Sequence, residues 1–213
     1  MEAKKVALVI VDISGYTHFI RTQKTSAIHA EEIIFELLEA VIERAEHPLT
    51  LNKLEGDAVF LYAEVGDNQI AKVARDVAKQ AQAFFEAFYA RAKTLTQERA
   101  ECGCNACSRV HDLRLKVVLN LGEAIFKQIR QFEELAGEDV ITVHRLLKNN
   151  VPTREYILMT EAFHNLAGNL LGMTHTESTE TYEDLGTLNV HVFQPQPKAV
   201  KDNLLPPVYF QNI

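Results

Sequence analysis

The chain has 213 residues, 47% hydrophobic and 24% charged, the balance of a soluble globular protein with room for a sizeable core. Its formal charge of −7, without a dense Lys/Arg tract, argues against a nucleic-acid backbone or an anionic membrane surface as partner. No apolar run approaches the roughly 20 residues of a membrane helix. The opening run meets Asp12 without a small-residue cleavage site, so a cytoplasmic protein is expected.

In chain order, residues 5–13 form a continuous β-branched run, as expected of a central strand covered on both faces. After Ser14-Gly15 a helical stretch begins near Tyr16, and a second follows over 27–46 with Ile33, Ile34, Leu37, Leu38 and Val41 at helical spacing. Pro48 ends it. Residues 49–54 and 57–64 read as a hairpin turning at Glu55-Gly56. A long amphipathic helix is predicted over 67–95, then a cysteine-rich insert, 101–111, and a strand, 113–121. Gly122 is read as breaking that strand, with 124–130 as its hairpin partner. A helix over 138–149, a strand over 155–159 and a helix over 160–170 follow, and strands near 181–184 and 188–193 close the domain. One domain, 1–195, is expected, with 196–213 as an extended, proline-containing arm. The order describes an α+β fold: a mostly antiparallel sheet with helices on one face, opening with a ferredoxin-like βαββαβ core.

Two aspartates stand out. Asp12 ends the first apolar strand and Asp57 follows the hairpin turn Glu55-Gly56. Carboxylates presented from adjacent strands make an oxygen-rich site for hard divalent cations, the usual companions of a nucleoside triphosphate. No Walker loop, dinucleotide fingerprint or Gly-x-Ser-x-Gly elbow competes with that reading.

Four segments in order carry a family likeness: Asp12-Ile13-Ser14-Gly15-Tyr16-Thr17, Lys53-Leu54-Glu55-Gly56-Asp57, Asn120-Leu121-Gly122-Glu123, and Gly137 to Leu146 with Arg145. Through them the chain resembles, over roughly residues 5–195, the class III adenylate/guanylate cyclase catalytic domain, in an uncharacterised, divergent bacterial branch. The resemblance implies a homodimer with active sites at the interface. Asp12, Asp57 and the carbonyl of Ile13 would hold two Mg²⁺ or Mn²⁺ ions, and Gly15 and Tyr16 would meet the phosphates. Lys53, partnered by Glu134 or Glu133, would read the purine in the adenylate manner, and Arg145 would contact phosphate. The implied reaction converts a nucleoside triphosphate into a 3′,5′-cyclic nucleotide and pyrophosphate. Two departures weigh toward the alternative, a catalytically degenerate nucleotide- or metal-binding or dimerisation module in signalling. Ile141 stands where the family has a ribose-positioning asparagine, and no final-hairpin lysine is evident around Asp184-Leu185-Gly186-Thr187.

All three cysteines lie in Cys102-Gly103-Cys104-Asn105-Ala106-Cys107, with His111 four residues on. Three thiolates and an imidazole are a structural zinc set. A loop of reduced thiols and a redox-sensitive pair remain the other readings. His18, His29, His164, His175 and His191 share no metal-ligand spacing and read as surface or hydrogen-bonded side chains.

Overall fold

The computed structural model describes residues 1–21, 27–66 and 68–196. The arm expected over 196–213 lies, from residue 197 on, outside the described residues, as does Asp67 at the expected start of the long helix.

β1 (Glu2–Ser14) sits between β3 (Ala58–Glu64) and β4 (Arg114–Ile129), antiparallel to both. Its Ala7, Val9, Val11 and Ile13 face one apolar cluster and its Val6, Leu8 and Ile10 another. A strand buried on both faces needs no alternation, which is why it reads as an unbroken apolar run. β2 (Thr50–Glu55) flanks β3. β6 (Tyr156–Thr160) runs parallel to β4, and β8 (Gly186–Pro195) and β7 (Met173–Tyr182) complete the order β2-β3-β1-β4-β6-β8-β7. β5 (Phe132–Ala136) pairs with the far half of β4.

Onto the odd face of β1 pack α2 (Ala27–Glu43), through Ile33, Ile34, Leu37, Leu38 and Val41, and α3 (Ile70–Glu98), through Val77, Phe84 and Phe88. α1 (Tyr16–Arg21), the short α4 (Asn105–Ser108) and α6 (Glu161–Ala167) add Phe19, Ala106 and Phe163 there. The helices are not confined to one face, as the sequence suggested. α5 (Glu138–Arg145) covers the other with Val140 and Val143, Leu146 packing beside them.

Gly122 does not break its strand. β4 continues through it, pairing Gly122 with Val6, and the chain reverses only at Arg130, whose φ is +55°. The partner is therefore 132–136 and not 124–130. The glycine is needed for close approach. A Cβ there would fall 1.9 Å from Cγ of Asp139, whose Oδ2 accepts from Glu123 N at 2.8 Å and whose Oδ1 accepts from Asn120 Nδ2 at 3.1 Å. Gly122→Ala must expel that carboxylate and forfeit both bonds, so urea denaturation is expected to show a loss of about 2–3 kcal/mol. An unchanged denaturation midpoint would refute this account.

β7 begins eight residues before the expected 181. Thr174, Glu177, Ser178 and Thr179 are exposed, so this edge strand carries little apolar alternation for a sequence reading to find. α5 stops at Arg145, short of the expected 149.

Candidate functional site

Asp12 lies opposite Ala58 in the β1–β3 ladder, which sets it beside the β2–β3 turn that carries Asp57; Ile13 N donates to the Asp57 carbonyl at 3.0 Å. The side chain of Asp12 is only 14% exposed. Burial first, then the charge of Asp12, pushes the Asp57 carboxyl up to about 6. Asp12 is raised as well by burial, against the pull of Lys116. A carboxyl whose charge is disfavoured by burial and by a neighbouring carboxylate is a place where a cation is welcome.

One cation is already there. Lys116 of β4, directly opposite Asp12, places its Nζ 3.0 Å from Asp12 Oδ2 and 3.3 Å from the Leu147 carbonyl. Sequence reasoning passed over it, although a lysine inside Leu115-Lys116-Val117-Val118-Leu119 is a charge in a central strand and calls for a partner. Gly15, at φ +98°, turns the chain from β1 into α1, and its carbonyl accepts the first helical bond from Phe19 N at 2.9 Å. A Cβ on Gly15 would sit 3.3 Å from Nη1 of Arg154, an exposed arginine with no local sequence signal. Tyr16 Oη donates to Glu31 of α2 at 3.2 Å. One end of the sheet thus collects two acidic and two basic side chains, Asp12 and Asp57 with Lys116 and Arg154.

Of the two acidic partners expected for Lys53, Glu134 lies 3.1 Å from its Nζ, while Glu133 accepts instead from Tyr62 Oη at 2.6 Å. Glu55 lies 3.8 Å from Lys53 and 3.0 Å from Nε2 of His144, whose Nδ1 bonds the Val140 carbonyl at 2.7 Å. Arg145 is half exposed and donates to Asp184 at 2.7 Å. It borders an open depression of about 610 Å³ with Val140, Ile141, His144, Lys148 and Asp184. Neither Asp12 nor Asp57 lines that depression, although Lys116 links Asp12 to the Leu147 carbonyl at its edge and His144 reaches Glu55 of the turn that carries Asp57.

The cysteines gather as expected, but His111 does not join them. It is 69% exposed and lies 3.4 Å from Asp112. His29 of α2 stands in its place, with Nδ1 3.5 Å from the sulfurs of Cys102 and Cys104 and 3.8 Å from that of Cys107. Spacing along the chain favoured the neighbour; the packing of α2 against the insert chose a residue more than seventy positions upstream.

The fold also assembles His164, His175 and His191, which the sequence left scattered. Their rings lie within 20° of parallel, His164 over His191 at 3.7 Å between centroids, and His175 and His191 share a 3.0 Å hydrogen bond. Imidazole lone pairs lie in the ring plane, so His164, lying over the face of His191, does not direct its own at that ring, while His175 and His191 turn theirs toward each other in the shared hydrogen bond. Burial, then His164 and His175, hold His191 below its usual value, against Glu177 and Glu161. The unfolded chain protonates His191 first as pH falls, so the stability that rests on a neutral His191 is present above about 6.5 and is lost as pH falls below it. Chemical denaturation at pH 5 and 7 is expected to give a smaller pH difference for His191→Gln than for wild type; equal differences would exclude the stack as the cause.

Three comparisons bear on identity. A family described as "Protein of unknown function (DUF2652)" matches residues 34–156. "Uncharacterized protein Rv2561/Rv2562" of Mycobacterium tuberculosis is 32% identical over 172 residues, covering 79% of this chain and 78% of that one. The chain belongs to the DUF2652 family. The fold of this DUF2652 protein is that of the adenylyl and guanylyl cyclase catalytic domains. The guanylyl cyclase Cya2 superposes with a TM-score of 0.67 at 12% identity, over 94% of this chain and 96% of its own. The adenylyl cyclase CyaB from P. aeruginosa gives 0.67 at 14% identity, over 92% and 97%. Among the described residues of this DUF2652 protein, no helix is long and apolar enough to cross a membrane.

Proposed function

We propose that this protein binds a metal–nucleoside triphosphate at the Asp12–Asp57 end of its sheet, at the interface of a homodimer, and cyclises it slowly to a 3′,5′-cyclic nucleotide and pyrophosphate. The observation that carries the reading is the carboxylate pair itself, with Asp57 lifted to about 6 by burial and by its neighbour. The donor set suits Mg²⁺ or Mn²⁺: two carboxylates and the Ile13 carbonyl are hard oxygen ligands. Such ions, when bound, would acidify the ribose hydroxyl and stabilise the departing pyrophosphate. A second ion at Asp12 requires Lys116 to swing aside.

The chain's own residues supply the rest. Gly15 lets the β1–α1 turn approach the phosphates without a side chain in the way, and Arg154 stands beside it as an exposed positive charge for the triphosphate. Lys53 and Glu134 offer a donor and an acceptor to a purine edge. In the dimer, the α5 groove with Arg145 would face the partner's carboxylates, since neither Asp12 nor Asp57 of its own chain lines it. Catalytic degeneracy is the second reading, and three observations favour it. Ile141 offers the groove no hydrogen bond, Arg145 is occupied by Asp184, and Lys116 already neutralises Asp12.

The test is incubation with each of the four ribonucleoside triphosphates and Mg²⁺ or Mn²⁺, read by mass spectrometry for cyclic nucleotide and by calorimetry for binding. Metal-dependent binding with slow product formation supports the proposal. Binding without product establishes the degenerate reading, and the absence of binding sinks both.

A further inference from the structure

Three sulfurs and one imidazole nitrogen converge where the loop between α3 and β4 meets α2. The ligand atoms of His29, Cys102, Cys104 and Cys107 all lie within 4.8 Å of one another, and the cysteines are free thiols. Hydrogen bonding does not account for this. A neutral ring nitrogen has either one lone pair or one hydrogen, yet three sulfurs crowd Nδ1 of His29 at 3.5, 3.5 and 3.8 Å. A disulfide would serve two of the three sulfurs and strand the last. A tetrahedral cation serves all four donors. With zinc bonds of about 2.3 Å to sulfur and about 2.0–2.1 Å to nitrogen, the sulfur-to-nitrogen edge of the tetrahedron is roughly 3.6 Å. The distances found here match that edge before any ion is placed.

The surroundings suit thiolates. Cys107 N donates to Cys104 Sγ at 3.4 Å. The Arg99 guanidinium lies against the Cys107 sulfur, held there by Glu32 at 3.0 Å and Glu36 at 2.7 Å. Three thiolates around a divalent ion leave one negative charge, and Arg99 is the counter-charge in its outer shell.

We propose that His29, Cys102, Cys104 and Cys107 hold one Zn²⁺ in a closed, structural Cys₃His site. With four protein ligands it has no open position for catalysis. It staples the 102–107 loop to the N-terminal turn of α2, two residues from Glu31 and hence from the Tyr16 contact beside the carboxylates.

The experiment is metal analysis of the full chain purified from zinc-supplemented cells, followed by cobalt substitution. Wild type is expected to carry one zinc per chain. Its cobalt form is expected to show the intense visible bands of a tetrahedral thiolate site. His111→Ala keeps both properties. His29→Ala loses zinc affinity by more than the roughly 10–100-fold that follows from disturbing an outer-shell partner. Should that variant fail to fold, His29→Cys retains one metal, with X-ray absorption changing from three sulfurs and one nitrogen to four sulfurs. Chelation is expected to lower the Tm of wild type by on the order of 5–10 °C. Wild type that binds no zinc under reducing conditions would overturn the proposal. So would loss of metal in His111→Ala alongside retention in His29→Ala.

Discussion

Asp57→Ala is expected to weaken metal-dependent triphosphate binding by at least about 100-fold while leaving the folded protein as stable as wild type, or more so. The two halves of this expectation have one cause. Asp57 is held in a half-buried position beside Asp12, where burial and that neighbour disfavour its charge more than Lys116 favours it. Deleting the carboxyl removes that repulsion together with the second carboxylate a divalent cation requires. The Asp57 carbonyl accepts from Ile13 N at 3.0 Å, a bond alanine keeps, and the local backbone hydrogen bond to its carboxylate, which alanine loses, weighs less than the burial and the repulsion that it relieves. Calorimetric titration with a metal–triphosphate and a thermal melt of the same preparation read both quantities. A raised or unchanged Tm with lost binding is the signature of a functional carboxylate held under electrostatic strain. A variant that binds as tightly as wild type would move the nucleotide elsewhere, and one that loses Tm together with binding would make Asp57 a structural turn residue.

Much of this site could be read from the chain because its signals are local. Asp12 ends an apolar strand and Asp57 follows a glycine turn by one residue, whereas the partner of Lys53 is open between Glu133 and Glu134 in the sequence and is decided by the β4–β5 register. The rest depends on register and packing. Lys116 matters because the β1–β4 ladder puts it opposite Asp12, and a shift of one residue would turn it to the other face. His29 displaces His111 because α2 packs against the insert, a contact between segments more than seventy residues apart. Gly122 is misread for a different reason. Glycine in a strand signals either a break or a close approach, and only the position of Asp139 distinguishes the two. The histidine stack is invisible because it draws one ring each from α6, β7 and β8, and only the packing of α6 against the β7–β8 pair brings His164, His175 and His191 together.

Ile141 is one of the two departures from the cyclase pattern, and it gives the most demanding expectation. Ile141 and Arg145 are four residues apart on α5, so they share a face and border one groove. Ile141 is 50% exposed and contributes little to the core, so a polar residue there costs the fold little. Asparagine adds one acceptor and two donors. If the groove meets the ribose of a triphosphate held by the partner's carboxylates, Ile141→Asn restores a contact that strengthens as the ribose oxygen attacks. Groups of that kind are worth roughly 10²–10³ in rate each. The variant is therefore expected to raise cyclic-nucleotide formation by on the order of 100-fold with little change in triphosphate affinity, because a transition-state contact appears in turnover and not in ground-state binding. Arg145 is still engaged by Asp184 at 2.7 Å, so Asp184→Asn in the same background should free the guanidinium and raise the rate again. A gain confined to affinity would make position 141 a binding contact. No gain in either variant, with binding intact, would mean that the α5 groove does not face the nucleotide, and the dimeric site would have to be assembled from another surface.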